Sequence, residues 1–242
     1  MDASLHVAVA GQNTIQKQLT VVAHNIANMN TVGFRAENVD FKTLISRTPT
    51  EDVNFPQMAN LYPAMEQGHL EQTNNPYDIA LSGDGWFGIA TPDGTAYTRD
   101  GRFQISPFGE LQTLEGYPVL DAGEAPIQLN PNGGPPEIQQ DGRIIANGQQ
   151  VGNIGVFSLT AQDLSARFGN SGFYSSVPGQ AIPVGNGSAT AINQGFVEAS
   201  NVNGVKEITN LITLTKMYSS VSTIVGKVDE TLTRATREIG GQ

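Results

Sequence analysis

The sequence predicts an α+β fold: long N- and C-terminal helices paired as a coiled coil, with a central antiparallel β-rich domain between them. Two observations lead there. Near both ends of the chain, apolar residues recur at alternating steps of three and four, which is the signature of a coiled-coil seam. Between the ends, short apolar runs are separated by Asp-Gly, Pro and Gly-rich turns at hairpin spacing.

The N-terminal element is read as one helix over residues 3–28. Leu5, Ala8, Gln12, Ile15, Leu19, Val22 and Ile26 step alternately by three and four. Such a stripe is narrower than the apolar face of a globular-core helix, so it needs a second helix to cover it. Asp2 can cap the start and Gly33 offers a stop. At 1.5 Å per residue the helix would be about 40 Å long. Gly11 weakens it by roughly 1 kcal/mol relative to Ala. Asn25, Asn28 and Asn30 crowd its end. Asn there tolerates the left-handed conformation that closes a helix, and it can also hydrogen-bond to a neighbouring subunit. Sequence physics leaves both readings open.

Residues 36–72 read as an extended connecting arm. Thr48-Pro49-Thr50-Glu51-Asp52, Phe55-Pro56 and Tyr62-Pro63 break long elements, and one strand is expected near residues 68–72. Residues 73–199 form the β domain. Expected strands include Asp78-Ile79-Ala80-Leu81, Trp86-Phe87-Gly88-Ile89-Ala90, Tyr97-Thr98-Arg99, Phe103-Gln104-Ile105, Asp141–Ile145 and Ile154–Leu159. Asp-Gly at 84, 93, 100 and 141 supplies turns. Residues 130–136 and the run Gly185-Asn186-Gly187 are read as loops. Residues 200–242 return to helix, with Ser200, Asn201 or Asn203 as candidate caps. Leu214, Met217, Val221, Ile224 and Val228 continue the three-four stepping, and Ile208, Leu211 and Ile212 widen the face. The two seams would then cover one another. Separate packing of each helix on the β domain would call for broader faces.

Composition narrows the function. The 242 residues include 27 Gly and no Cys, with 15% charged residues, a net charge of −10 and a mean hydropathy of −0.22. Disulfides and thiolate metal sites are excluded. The acidic balance argues against a nucleic-acid surface. Residues 1–35 and 200–242 each carry +1, leaving −12 between them. Nearly neutral ends suit surfaces that pack on copies of themselves, although seam helices carry few charges in any case. A basic N-terminal start and a run of about 20 apolar residues are both missing, so neither a secretory signal nor membrane insertion is expected.

Catalytic motifs fail one by one. Gly83-Asp84-Gly85-Trp86-Phe87-Gly88 matches the dinucleotide fingerprint, but a strand follows where a helix is required. The isolated Asp-Gly pairs lack the clustered carboxylates of a calcium loop. His6, His24 and His69 are scattered, and no Gly-x-Ser-x-Gly occurs. No catalytic residue, cofactor or metal is expected, and the chain is not read as an enzyme.

The run Asn25-Ile26-Ala27-Asn28-Met29-Asn30-Thr31-Val32-Gly33-Phe34-Arg35 resembles the N-terminal signature of the bacterial flagellar rod and hook family. The resemblance continues through Gln67-Gly68, Gln72–Leu81, Gly83-Asp84-Gly85-Trp86-Phe87, Tyr97-Thr98-Arg99-Asp100-Gly101 and Gly195–Asn203. The short arm and the lack of a large inserted outer domain resemble a proximal-rod member more than a distal-rod or hook member. At Leu214-Thr215-Lys216-Met217-Tyr218 the chain departs from the Gln-Arg-x-Tyr that the family often carries. The resemblance implies a structural rod subunit that transmits torque. It would be exported by the flagellar type III apparatus without a cleaved signal and assemble in the periplasm with copies of itself and other rod proteins. The helices would form an inner layer. The implied assembly residues are Leu5, Ile15, Leu19, Val22, Asn25, Ile26, Asn28, Asn30, Gly33, Phe34, Asn201, Asn203, Leu211, Leu214, Met217, Tyr218, Val221, Ile224 and Val228. A secreted β-rich binding module is the alternative from another class.

Overall fold

The computed structural model describes residues 2–47, 52–185 and 187–240. They fall into two compact units. The first comprises residues 1–27, 37–62 and 203–242; the second comprises 28–36 and 63–202.

The first unit holds helix α1 (Asp2–Ala27) and the strands β1 (Glu37–Arg47) and β2 (Asp52–Pro63), which pair as a two-stranded sheet. The connecting arm is therefore largely paired strand, and the expected break at Thr48–Glu51 lies outside the described residues. Pro56 does not interrupt β2, whereas Pro63 is its last residue. In a two-stranded ribbon both strands are edges, so a missing N–H can face outward at no cost to the ladder.

The second unit is the β body. It opens with β3 (Leu70–Gln72), β4 (Ile79–Ser82), β5 (Trp86–Thr91), β6 (Gly94–Thr98), β7 (Phe103–Ile105) and β8 (Leu111–Thr113). There follow β9 (Glu137–Ile138), β10 (Arg143–Ala146), β11 (Gln149–Asn153), β12 (Val156–Ser158), β13 (Leu164–Phe168), β14 (Gly172–Ser175), β15 (Gln180–Ala181), β16 (Ala191–Gln194) and β17 (Phe196–Glu198). The largest sheet runs β13-β14-β6-β5-β12-β15 and is antiparallel throughout. A three-stranded sheet β11-β10-β9 and the pairs β16-β4, β17-β3 and β7-β8 complete the body.

Strand alternation divides the core. From β5, Phe87 and Ile89 enter a cluster with Ile79, Leu81, Leu111 and Ile144. Trp86 faces the other way, into a cluster with Tyr97, Phe157, Leu159, Leu164 and Phe173. Both faces of β5 are thus covered, which is why its first four residues are all buried. Edge-on ring pairs at Trp86–Phe173 and Phe87–Phe103, 5.7 and 5.4 Å between centroids, fix the two clusters.

The last element is helix α2 (Gly204–Gly240) of the first unit. Asn203 Oδ1 accepts the Lys206 N–H at 3.0 Å, so Asn203, of the three candidate residues, is the cap. The predicted coiled coil is not what forms. There is one helix at each end of the chain, and neither has a closed seam. No described residue of α2 is buried, and Met217 and Ile224, expected inside, are 51% and 56% exposed. A three-four repeat admits more than one register, and here the half-buried stripe runs through Leu211, Leu214, Tyr218, Val221, Val225 and Val228. Among the described side chains of α1, the buried ones are Val21, Val22 and Asn25, in its last two turns.

Candidate functional site

The strongest cluster of chemistry-bearing side chains lies inside the β body, where three distant segments meet. Gly33-Phe34-Arg35 follows the first helix. Arg99 follows β6. Glu198 closes β17. Arg35 is 1% exposed, Arg99 3% and Glu198 1%. Each Glu198 oxygen faces one guanidinium: Arg35 Nη2 lies 2.8 Å from Oε1 and Arg99 Nη1 lies 2.9 Å from Oε2. Gly68 N–H donates to the same Oε1 at 3.1 Å. Arg35 also donates to the carbonyls of Met65 and Glu66 and Arg99 to that of Gly83, while the buried Nε of each arginine has no hydrogen-bond partner among the described residues. Both guanidiniums lie over the Trp86 ring, at 5.7 and 5.5 Å from its centroid.

The cluster is electrostatically consistent. Burial lowers the Arg35 guanidinium to about 10 while Glu198 raises it, so Arg35 keeps its proton at neutral pH. Burial likewise lowers Arg99 from its ordinary value, opposed by Glu198. Asp84 adds attraction for both arginines. Both Glu198 oxygens are engaged by fixed donors, and the carboxylate is buried. The arrangement ties segments together and is not suited to proton transfer.

Backbone and amide contacts extend the tie. Gly33 N–H donates to Glu198 O at 2.7 Å, and Gly33 has a φ of 68°. A Cβ there would stand 2.3 Å from Asp100 N, so only glycine fits. At Gly68 a Cβ would stand 1.9 Å from Ala199 O. Asn201 accepts from Ala36 N–H at 2.7 Å and donates to Glu66 O at 2.7 Å. Phe34 is 1% exposed, with the Arg167 guanidinium 4.5 Å from its ring centroid.

The other expected site residues disperse. Asn25 binds both backbone groups of Glu37, donating to O at 3.0 Å and accepting from N–H at 2.8 Å, as a strand neighbour would. Asn28 is buried and accepts from the Thr31 hydroxyl at 3.1 Å, whereas Asn30 is exposed. Ile15, Leu19 and Ile26 are half-buried on α1, and Val22 is buried. The Leu5 side chain lies outside the described residues. A cleft of about 310 Å³ in the first unit is lined by Val21, Val22, Asn25, Val39, Leu214 and Met217. Among the described residues no group of His, Asp and Glu is placed to hold a metal ion, and no helix is long and apolar enough to cross a membrane. The dinucleotide-like run is the turn between β4 and β5, with Gly83 and Gly85 at φ 102° and 124°.

Sequence reasoning missed Arg35, Arg99 and Glu198 as a unit. A signal was present: Arg35 and Glu198 are each flanked by apolar residues in a short motif, Arg99 lies in a third motif, and their signs complement one another. What it lacked was any indication that the three motifs meet.

Comparison with known proteins places these segments in a family context. Residues 5–35 match the model of flagella basal body rod proteins. Residues 80–146 match the flagellar hook protein FlgE/F/G D1 domain, and residues 193–238 match the flagellar basal body rod FlgEFG protein C-terminal region. The chain is 42% identical to the flagellar basal-body rod protein FlgF of Mesorhizobium japonicum, covering 100% of both chains. It is 38% identical to FlgF of Rhizobium meliloti over 100% of this chain and 99% of the relative. Identity to FlgG of Bacillus subtilis is 31%, over 95% and 96% of the two chains.

Proposed function

The chain belongs to the flagellar basal-body rod protein family, and from that premise we infer how it serves as a structural subunit of the rod. Its full-length likeness to the FlgF relatives makes it FlgF-like, and a FlgG-type place is less favoured. Its setting is the basal body, where it assembles with other rod proteins. The finer reading is that the terminal helices make the inter-subunit contacts of a periplasmic shaft that transmits torque. Copies of the chain and its proximal- and distal-rod counterparts would be the neighbours. Delivery would run through the flagellar type III apparatus without a cleaved signal peptide.

One observation carries this reading. Helix α2 is 37 residues long, has no buried described residue, and exposes Val205, Ile208, Ile212, Met217 and Ile224. A long helix with apolar residues left in solvent calls for neighbours. Within the body, the buried charges Arg35, Arg99 and Glu198 bind one another. Isolated basal bodies tested with an antibody to this chain decide the placement. Label along the rod is expected; basal bodies complete without the chain would refute it.

A further inference from the structure

We propose that residues 195–201 form a latch that closes the β body last, and that Arg35 and Arg99 keep the closure from forming until Glu198 arrives. The inference goes beyond the rod-subunit reading and stands independently of it.

The latch is defined by what it alone supplies. Among the described residues, β3 has no strand partner except β17. Gly33 N–H donates to Glu198 O, Asn201 N–H donates to Phe34 O at 3.3 Å, and Ala199 N–H donates to His69 O at 2.9 Å. The side chain of Asn201 then holds Ala36 across 165 positions of sequence. Each of these bonds joins an early segment to a late one, so none can form before residue 195 onward is present. A chain made from its N-terminus has the rest of the body available first. That remainder has its own ladder: Leu111 N–H donates to Ile127 O, Ile127 N–H to Val119 O and Val119 N–H to Leu111 O, at 3.0, 3.0 and 2.8 Å.

Charge makes the order strict. Without Glu198, burial of the site would bring two guanidiniums over one indole with no carboxylate bonded between them. Arg99 disfavours the charge on Arg35, and burying an uncompensated cation is strongly unfavourable. Glu198 is the one anion that bonds both. The body therefore stays open on this side until the segment leading into α2 is in place.

Native-state hydrogen exchange on the full wild-type chain tests this first. The amides of Gly33, Gly68 and Ala199 are expected to exchange at least about tenfold faster than those of Leu111, Val119 and Ile127, through an opening only weakly dependent on denaturant. One common rate with the denaturant dependence of global unfolding would overturn the latch. Trp86, the single tryptophan of the chain, then reports kinetics in full-length Glu198→Gln. Its unfolding rate is expected to rise at least about tenfold, with a folding rate within about twofold of wild type. A folding rate that falls by the larger factor would show Glu198 engaged before the main barrier and overturn the order. If the variant does not fold, the wild-type exchange pattern alone decides.

Discussion

Glu198 is where residue-scale physics is sharpest. A buried carboxylate between two buried arginines contributes little net stability as a trio, but removing one member leaves uncompensated charge inside. Glu198→Gln is therefore expected to cost about 3 kcal/mol or more in urea unfolding. The triple variant Arg35→Met, Arg99→Met, Glu198→Leu should recover part of that loss, because it removes the uncompensated charge, although Gly68 N–H and Gly83 O lose their partners. A triple variant no more stable than Glu198→Gln would contradict this account of the cluster. Glycine supplies a second contrast. Gly33→Ala meets backbone at 2.3 Å and a φ of 68°, whereas Gly148, at φ 76°, has open space around it. Gly148→Ala should cost about 1 kcal/mol and Gly33→Ala clearly more, both read by thermal or urea unfolding.

At the scale of elements, helix α2 begins because Asn203 caps it. Asn203→Ala should cost about 1 kcal/mol and speed amide exchange in the first turn, while Asn203→Asp should restore it. The elements also show what was legible. Asp-Gly turns and alternating runs located β4 through β7, β10 and β12, because a hairpin is a local event. Hairpin β10–β11 was equally legible but overlooked: Asn147-Gly148 has both φ angles positive, 54° and 76°, as the tightest hairpin turn demands. Strands β3, β16 and β17 are short and find partners more than a hundred residues away, so no local pattern marks their pairing. The helix seams failed for a different reason. The three-four step is periodic, but Tyr218 and Val225 lie on the half-buried stripe where the seam expects Met217 and Ile224. One residue of rotation separates the two sets, and spacing alone does not choose between them.

At the scale of the whole molecule, the parts divide the work. The β body is acidic and pairs part of its charge, at Arg35–Glu198–Arg99 inside and at Arg102–Asp100 and Arg143–Asp141 nearer the surface. The terminal helices leave apolar side chains in solvent and carry little net charge. The candidate site was only half legible because its two functions differ in kind. Motifs pointed to the ends of the chain, but the tie inside the body depends on three charges brought together by the fold. The central claim is that this chain works as a rod subunit through its exposed terminal helix, and Ile224, 56% exposed, is the position to test it. The most direct measurement is the amount of Ile224→Asp protein in basal bodies purified from cells making it as the sole copy, alongside its unfolding midpoint. The account predicts incorporation reduced at least about tenfold with an unchanged midpoint, since an exposed charge scarcely alters the monomer. Wild-type incorporation and normal motility in that variant would contradict it.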